Sequence, residues 1–334
     1  MADCAAAGPG GARVRSTFRW LEVAFWLVLV AGYVLWPGKL PLASQVLIAG
    51  LFALSYDLVL GYAGILSLGH AAYFGVGAYT AGLLAAHGWG EPISGLMVAG
   101  LVAALVGFVT SPLVVRGTDL TRLMITTGLG LLLFELANRL GTITGGVDGL
   151  QGVEMQPLLG ALRFDIYGRT AYGYVLVVVF VLFLAARRLV RSPYGLSLRG
   201  IRANPGRMRA IGCRVDLHLA AIYTFAAAYA GVAGALLTQT TQFVGLDVLS
   251  FGRSAELLVM LIVGGAGLLY GGFIGAAVFM IAHHVLSSLD PVYWQFWLGV
   301  CLIAIVLVGR DGILGAGRRL LTLRRRRPVT VTAS

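Results

Sequence analysis

Eight arginines crowd between positions 187 and 214, at Arg187, Arg188, Arg191, Arg199, Arg202, Arg207, Arg209 and Arg214, while the chain on either side of them is almost free of charge. Hydrocarbon tolerates neither unpaired backbone nor charge at that density, and the flanks 170–186 and 217–239 are each about the length of a bilayer crossing. The stretch is therefore a loop between two membrane spans. A short loop this rich in arginine faces the cytoplasm, and that assignment orients every other segment. Within it, Leu198, Ile201, Met208 and Ile211 form an apolar stripe at helical spacing, interrupted at Asn204-Pro205-Gly206. The sequence thus predicts a short, kinked amphipathic helix lying below the membrane.

Composition agrees with this frame. Of 334 residues 58% are hydrophobic and 12% charged, which no soluble domain requires, so the fold class expected is an all-α integral membrane protein. The net charge of +11 lies at span ends and tails, without the interleaved aromatics of a nucleic-acid surface, so no nucleic-acid partner is expected. Cys4, Cys213 and Cys301 make neither a disulfide framework nor a metal cluster. The sole lysine, Lys39, is followed by Leu40, which excludes a phosphate-binding Gly-Lys-Ser/Thr loop, and there is no HExxH, GxSxG or CxxC. No catalytic residue, metal site or bound cofactor is expected, and the protein reads as no enzyme.

Taken in order, the chain predicts a basic cytoplasmic tail over 1–19, one transmembrane domain over 20–309 and a second basic cytoplasmic tail over 310–334. Spans are expected at 20–36, 42–60, 93–115, 120–138, 170–186, 217–239, 273–289 and 294–308. Two more crossings run through the glycine-rich stretches at 61–87 and 257–272. About ten crossings result, or eight or nine if those stretches are re-entrant. A long external loop falls at 139–169 and the basic loop at 187–216. This arrangement puts twenty arginines inside against four arginines and Lys39 outside, the asymmetry that positive-inside orientation demands.

The polar candidates inside the membrane are Asp57, Ser67, His70, Glu135, Asn138 and Glu256. Asp57 and Glu256 stand near span ends, where snorkelling to water is the simplest reading, and Glu135 can pair locally with Asn138 and Arg139. Gly61, Gly64, Gly69, Gly75 and Gly77, with Ser67 and His70 among them, point to a helix break or a close-packed interior near a transport path; Glu135, Gly264 and Gly265 complete that set.

Five stretches then carry a resemblance: GYAGILSLGHAAYFGVGAY (61–79), LRGIRANPGRMRAIG (198–212), AGVAGAL (230–236), VGGAGLLYGGFIG (263–275) and GRDGILG (309–315), with TGG at 144–146. In this order they resemble the LivM-type permease subunit of bacterial branched-chain amino-acid ABC importers. The resemblance implies a multi-pass protein of the bacterial inner membrane. It also implies a homologous LivH-like permease partner, two cytoplasmic ATPases that use ATP in trans, and a periplasmic substrate-binding protein. A cytoplasmic coupling helix that seats on an ATPase falls on Leu198, Arg199, Ile201, Arg202, Asn204, Arg207, Met208, Ile211 and Gly212. Related permeases carry urea or short amides, and a stand-alone secondary carrier is the reading from another class.

Overall fold

The computed structural model describes residues 25–33, 37–157, 168–290, 293, 296–297 and 299–300. Ten helices carry the fold: α1 (Leu40–Asp57), α2 (Ala71–Ala86), α3 (Pro92–Val115), α4 (Asp119–Arg139), α5 (Arg169–Arg191), α6 (Pro193–Ala203), α7 (Pro205–Ala210), α8 (Val215–Thr241), α9 (Phe251–Gly264) and α10 (Gly271–Leu289). Among the described residues the only strand-like pairing is a single bridge, Leu150 to Val244. The expected all-helical class is therefore what forms.

Among the described residues, six helices are long and apolar enough to cross a membrane: α1 with its continuation to Tyr62, α3, α4, α5, α8 and α10. Helices α2 and α9 are shorter, at 16 and 14 residues; α2 is entered, and α9 is left, through an irregular stretch. The expected first span is described over 25–33, where it is helical; the last, 294–308, is described only at 296–297 and 299–300, and the tails lie outside the described residues.

Helix α8 is the hub, packing against α3, α2 and α1, while α1 also meets α10 and α5. Helices pack this closely only where side chains are small. A methyl at Gly77 of α2 would run into the backbone of Gly231 in α8, one at Gly231 into Ala103 of α3, and one at Gly234 into the Phe74 carbonyl. On the other side of α1 the contact is aromatic, with Phe25, Trp26, Phe183, Tyr270 and Phe273 edge to face around one another.

Candidate functional site

The glycine-rich stretch is broken, as its composition predicted. Helix α1 ends in a π-helical turn, Leu58–Tyr62, and residues 63–70 run without regular structure before α2 begins. Backbone unwound at membrane depth needs partners, and side chains supply them. The Tyr56 hydroxyl donates to the Ser67 carbonyl at 2.8 Å and accepts from the Ser67 N–H at 3.3 Å. The Leu68 N–H donates to Thr126 Oγ1 at 3.2 Å and the Ala71 N–H to Ser254 Oγ at 3.0 Å. His70 is fully buried, its Nε2 2.9 Å from Ser55 Oγ and its ring stacked on Phe52. Gly64, at φ +75°, turns the chain, and Gly69 lies where any Cβ would strike the Thr126 carbonyl.

Gly61 packs against Asp57 and Gly267 and takes Arg202 on its carbonyl, Gly64 lies under the Arg202 stem, Gly75 fits under Leu249, and Gly264 and Gly265 form the tight start of the α9–α10 turn. These residues and Ser67, His70 and Gly77 thus share one connected region. Glu135 does not. It is exposed at the far end of α4 and pairs with Arg139 at 2.8 Å, because one helical turn separates the two on an open face. Asp57 also departs from the snorkelling expectation. It is wholly buried, with Oδ1 accepting the Gly267 N–H at 2.6 Å, because the α9–α10 turn roofs the end of α1.

The basic loop forms two helices where one kinked helix was expected. Ser192 caps α6 and Asn204 caps α7, accepting the Arg207 N–H at 2.9 Å, and a proline follows each cap at the first helical position. The apolar stripe is not a single free face. Leu198 and Ile201 are buried against the core of the helical bundle, Met208 folds over Gly200, and Ile211 alone stands out, 72% exposed. Leu196 on α6 is exposed as well. Arg199 lies over the Tyr62 ring, the Arg202 guanidinium donates to the Gly61 carbonyl, and Arg209 pairs with Asp216 at the start of α8. The Tyr194 hydroxyl donates to the His218 carbonyl at 2.8 Å, and burial holds its phenol above the usual tyrosine range. Arg207 is exposed, and Gly212, at φ +87°, ends the hairpin. The loop is thus fastened to α1 and α8, with Leu196, Arg207 and Ile211 outward.

A second feature was not legible as a site. Between α1, α2, the end of α8, the 243–248 segment, α9 and α10 lies a cavity of about 290 Å3. Ile48, Phe52, Phe74, Leu257, Met260 and Met280 make its apolar walls, and Asp247, Arg253 and Glu256 its charged edge. Arg253 donates to Asp247 and to Glu256, each at 3.3 Å, so Glu256 is paired and does not snorkel. Sequence reading counted Arg253 only as an external charge and passed over Asp247, Ser254 and Thr126. Their one signal was a polar residue isolated near an apolar run. Among the described residues no group of His, Cys, Asp and Glu is placed to hold a metal.

Comparison with known proteins follows the same lines. Residues 40–308 match the family described as the permease component of branched-chain amino acid transport systems. The high-affinity branched-chain amino acid transport system permease protein LivM of Salmonella typhimurium is 26% identical, over 90% of this chain and 76% of that protein, and LivM of Escherichia coli K12 is equally similar. The probable LivH permease of Methanocaldococcus jannaschii is 26% identical over 79% of this chain and 88% of its own length. No solved structure matches. With the match running from the start of α1 past the end of α10, this chain belongs to the family of branched-chain amino acid transport permease components.

Proposed function

We propose that the chain is the membrane subunit of an ATP-driven importer, moving branched-chain or closely related amino acids inward across the bacterial inner membrane. It works beside a LivH-like permease, two cytoplasmic ATPases and a periplasmic binding protein, by alternating access. In this reading one transmembrane domain over 20–309 makes ten crossings, α2 completing one together with the irregular stretch before it and α9 one together with the glycine-rich stretch after it. Both tails, 1–19 and 310–334, lie in the cytoplasm, as does the α6–α7 hairpin.

The observation that carries the reading is how this hairpin is attached. ATPase motion must reach spans that the ATPase does not touch, and Arg202 joins α6 directly to Gly61, at the break in α1. Leu198 and Ile201 root the hairpin in the core, leaving Ile211, Leu196 and Arg207 to face a partner. Rim charges of this kind fix orientation more than affinity.

The test is Ile211→Asp in proteoliposomes holding all partner subunits. Ile211 is exposed, so the variant inserts and folds, while ATP-driven leucine uptake and ATPase association are lost. Normal uptake by the variant would place the coupling contact elsewhere, and leucine uptake without any ATPase subunit would make the protein a stand-alone carrier.

A further inference from the structure

We propose that the cavity beside α9 is a binding site for a free α-amino acid with an aliphatic side chain. The ligand's carboxylate lies on Arg253, its ammonium on Glu256, and its side chain between Phe52, Phe74 and Met260. The proposal rests on the importer reading and adds to it a resting place for the cargo inside this subunit.

Size is the first argument. At about 290 Å3 the cavity sits at the small end of ligand pockets, which run roughly 300–1,000 Å3, so it takes a compact molecule. The chemistry of the walls is the second. One end is apolar, built from aromatic, leucine and methionine side chains; the other holds two carboxylates and a guanidinium within 3.3 Å contacts of one another. A lipid chain would use the apolar wall and leave the ion cluster without purpose. A simple cation would meet Arg253 between the two acids.

A zwitterion with an aliphatic side chain uses both ends. Arg253 exchanges its bond to Glu256 for one to the ligand carboxylate, and Glu256 turns to the ligand ammonium. Two ion pairs replace one, and the net charge of the site is unchanged. Asp247, the more exposed acid at 63%, stays on Arg253 and keeps it aimed. Arg253 also lies in the first turn of α9, whose N-terminal end favours an anion.

The walls tie the site to the rest of the fold. Phe52 and Phe74 line the cavity with ring centroids 4.4 Å apart, and His70 stacks behind Phe52. The end of the irregular stretch 63–70 therefore lies behind the Phe52 wall of the cavity.

The test is equilibrium binding of radiolabelled L-leucine to the assembled permease–ATPase complex in nanodiscs, without binding protein or ATP. Isocaproate, which lacks the ammonium, and isoamylamine, which lacks the carboxylate, are the competitors. The wild-type complex binds leucine at least about tenfold more tightly than either analogue, the size expected of a charge-assisted hydrogen bond. Arg253→Gln weakens leucine about tenfold or more and leaves isoamylamine unchanged; Glu256→Gln weakens leucine and leaves isocaproate unchanged. Met280→Trp, at the half-buried edge of the cavity, removes leucine binding by filling the space and decides the matter if Arg253→Gln does not fold. Unchanged leucine binding in a folded Arg253→Gln or Met280→Trp complex overturns the proposal, as does equal binding of leucine and both analogues. Uptake with ATP and binding protein is measured separately: its absence in wild type would refute the importer reading, while the binding experiment still decides the cavity.

Discussion

Gly77 and Gly128 look alike in sequence, each a glycine inside an apolar helix, yet alanine should act oppositely at the two. At both positions it removes backbone freedom and gains helix propensity of about 1 kcal/mol. At Gly128, on an exposed face of α4, a Cβ meets nothing within 4 Å, so that gain stands alone. At Gly77 the added Cβ falls on the carbonyl oxygen, Cα and carbonyl carbon of Gly231, all backbone, well inside the roughly 3.5–4.0 Å optimum for such atoms. No rotamer relieves that. The α2–α8 seam must open by about an ångström, and overpacking of this kind costs about 1–3 kcal/mol. Because the propensity gain is common to both, the difference between Gly77→Ala and Gly128→Ala isolates packing at about 1–3 kcal/mol. Denaturant unfolding of the purified permease in one detergent measures it. Equal stability of the two variants would refute the close approach of α2 to α8.

Arg202→Met keeps a stem to lie over Gly64 but loses the donor to Gly61; for a largely exposed arginine this is worth about 1.5 kcal/mol, so coupled transport per ATP hydrolysed should fall about tenfold while the protein still assembles. A normal transport-to-hydrolysis ratio would show that Arg202 carries no coupling. In a background without native cysteines, impermeant thiol reagent added outside should label a cysteine at Val147, which is 85% exposed, and not one at Gly206. The reverse pattern would invert the topology. Ser254→Ala removes the acceptor for the Ala71 N–H and leaves that buried donor unpaired, at a cost of about 1–3 kcal/mol, readable as a lowered unfolding midpoint; an unchanged midpoint would show that the bond does not hold the start of α2.

Charge punctuation made much of the fold legible. Arg116 and Arg122 bracket the turn between α3 and α4, and the arginine-rich loop separates α5 from α8, because the hydrocarbon interior excludes those side chains. Glycine density around Gly64 and Gly69 announced the break before α2, since a regular helix gains nothing from it. The hidden parts depend on what lies across the fold. An apolar stripe at helical spacing says that 198–212 has a face to bury and not what covers it, so Leu198 and Ile201 turned out to meet the permease's own core. Asp57 near a span end cannot be told from a snorkelling acid until Gly267, far along the chain, closes over it. Thr126 and Ser254 serve backbone groups on the distant 63–71 stretch, and Arg253 faces a cavity whose apolar walls come from five helices.

These distant partners converge on one element. Along α1 and its π-helical continuation, Ile48 and Phe52 line the cavity, Ser55 holds His70, Asp57 holds the α9–α10 turn, and Gly61 takes Arg202 from the basic hairpin. Everything the proposed cycle must connect therefore touches a single helix. A tightly packed helix moves as a body more readily than it bends, because interiors at crystal-like density yield by shifting between discrete arrangements. The hairpin contact at Gly61 falls within the π-helical turn Leu58–Tyr62, and such turns interrupt the regular hydrogen-bond ladder. In the proposed cycle a pull on Gly61 would act first on that turn and then on the Asp57 and Ser55 contacts, loosening the stretch 63–70 whose His70 backs Phe52. The polar bonds along α1 would thus set the order of opening: the hairpin contact first, the cavity wall last.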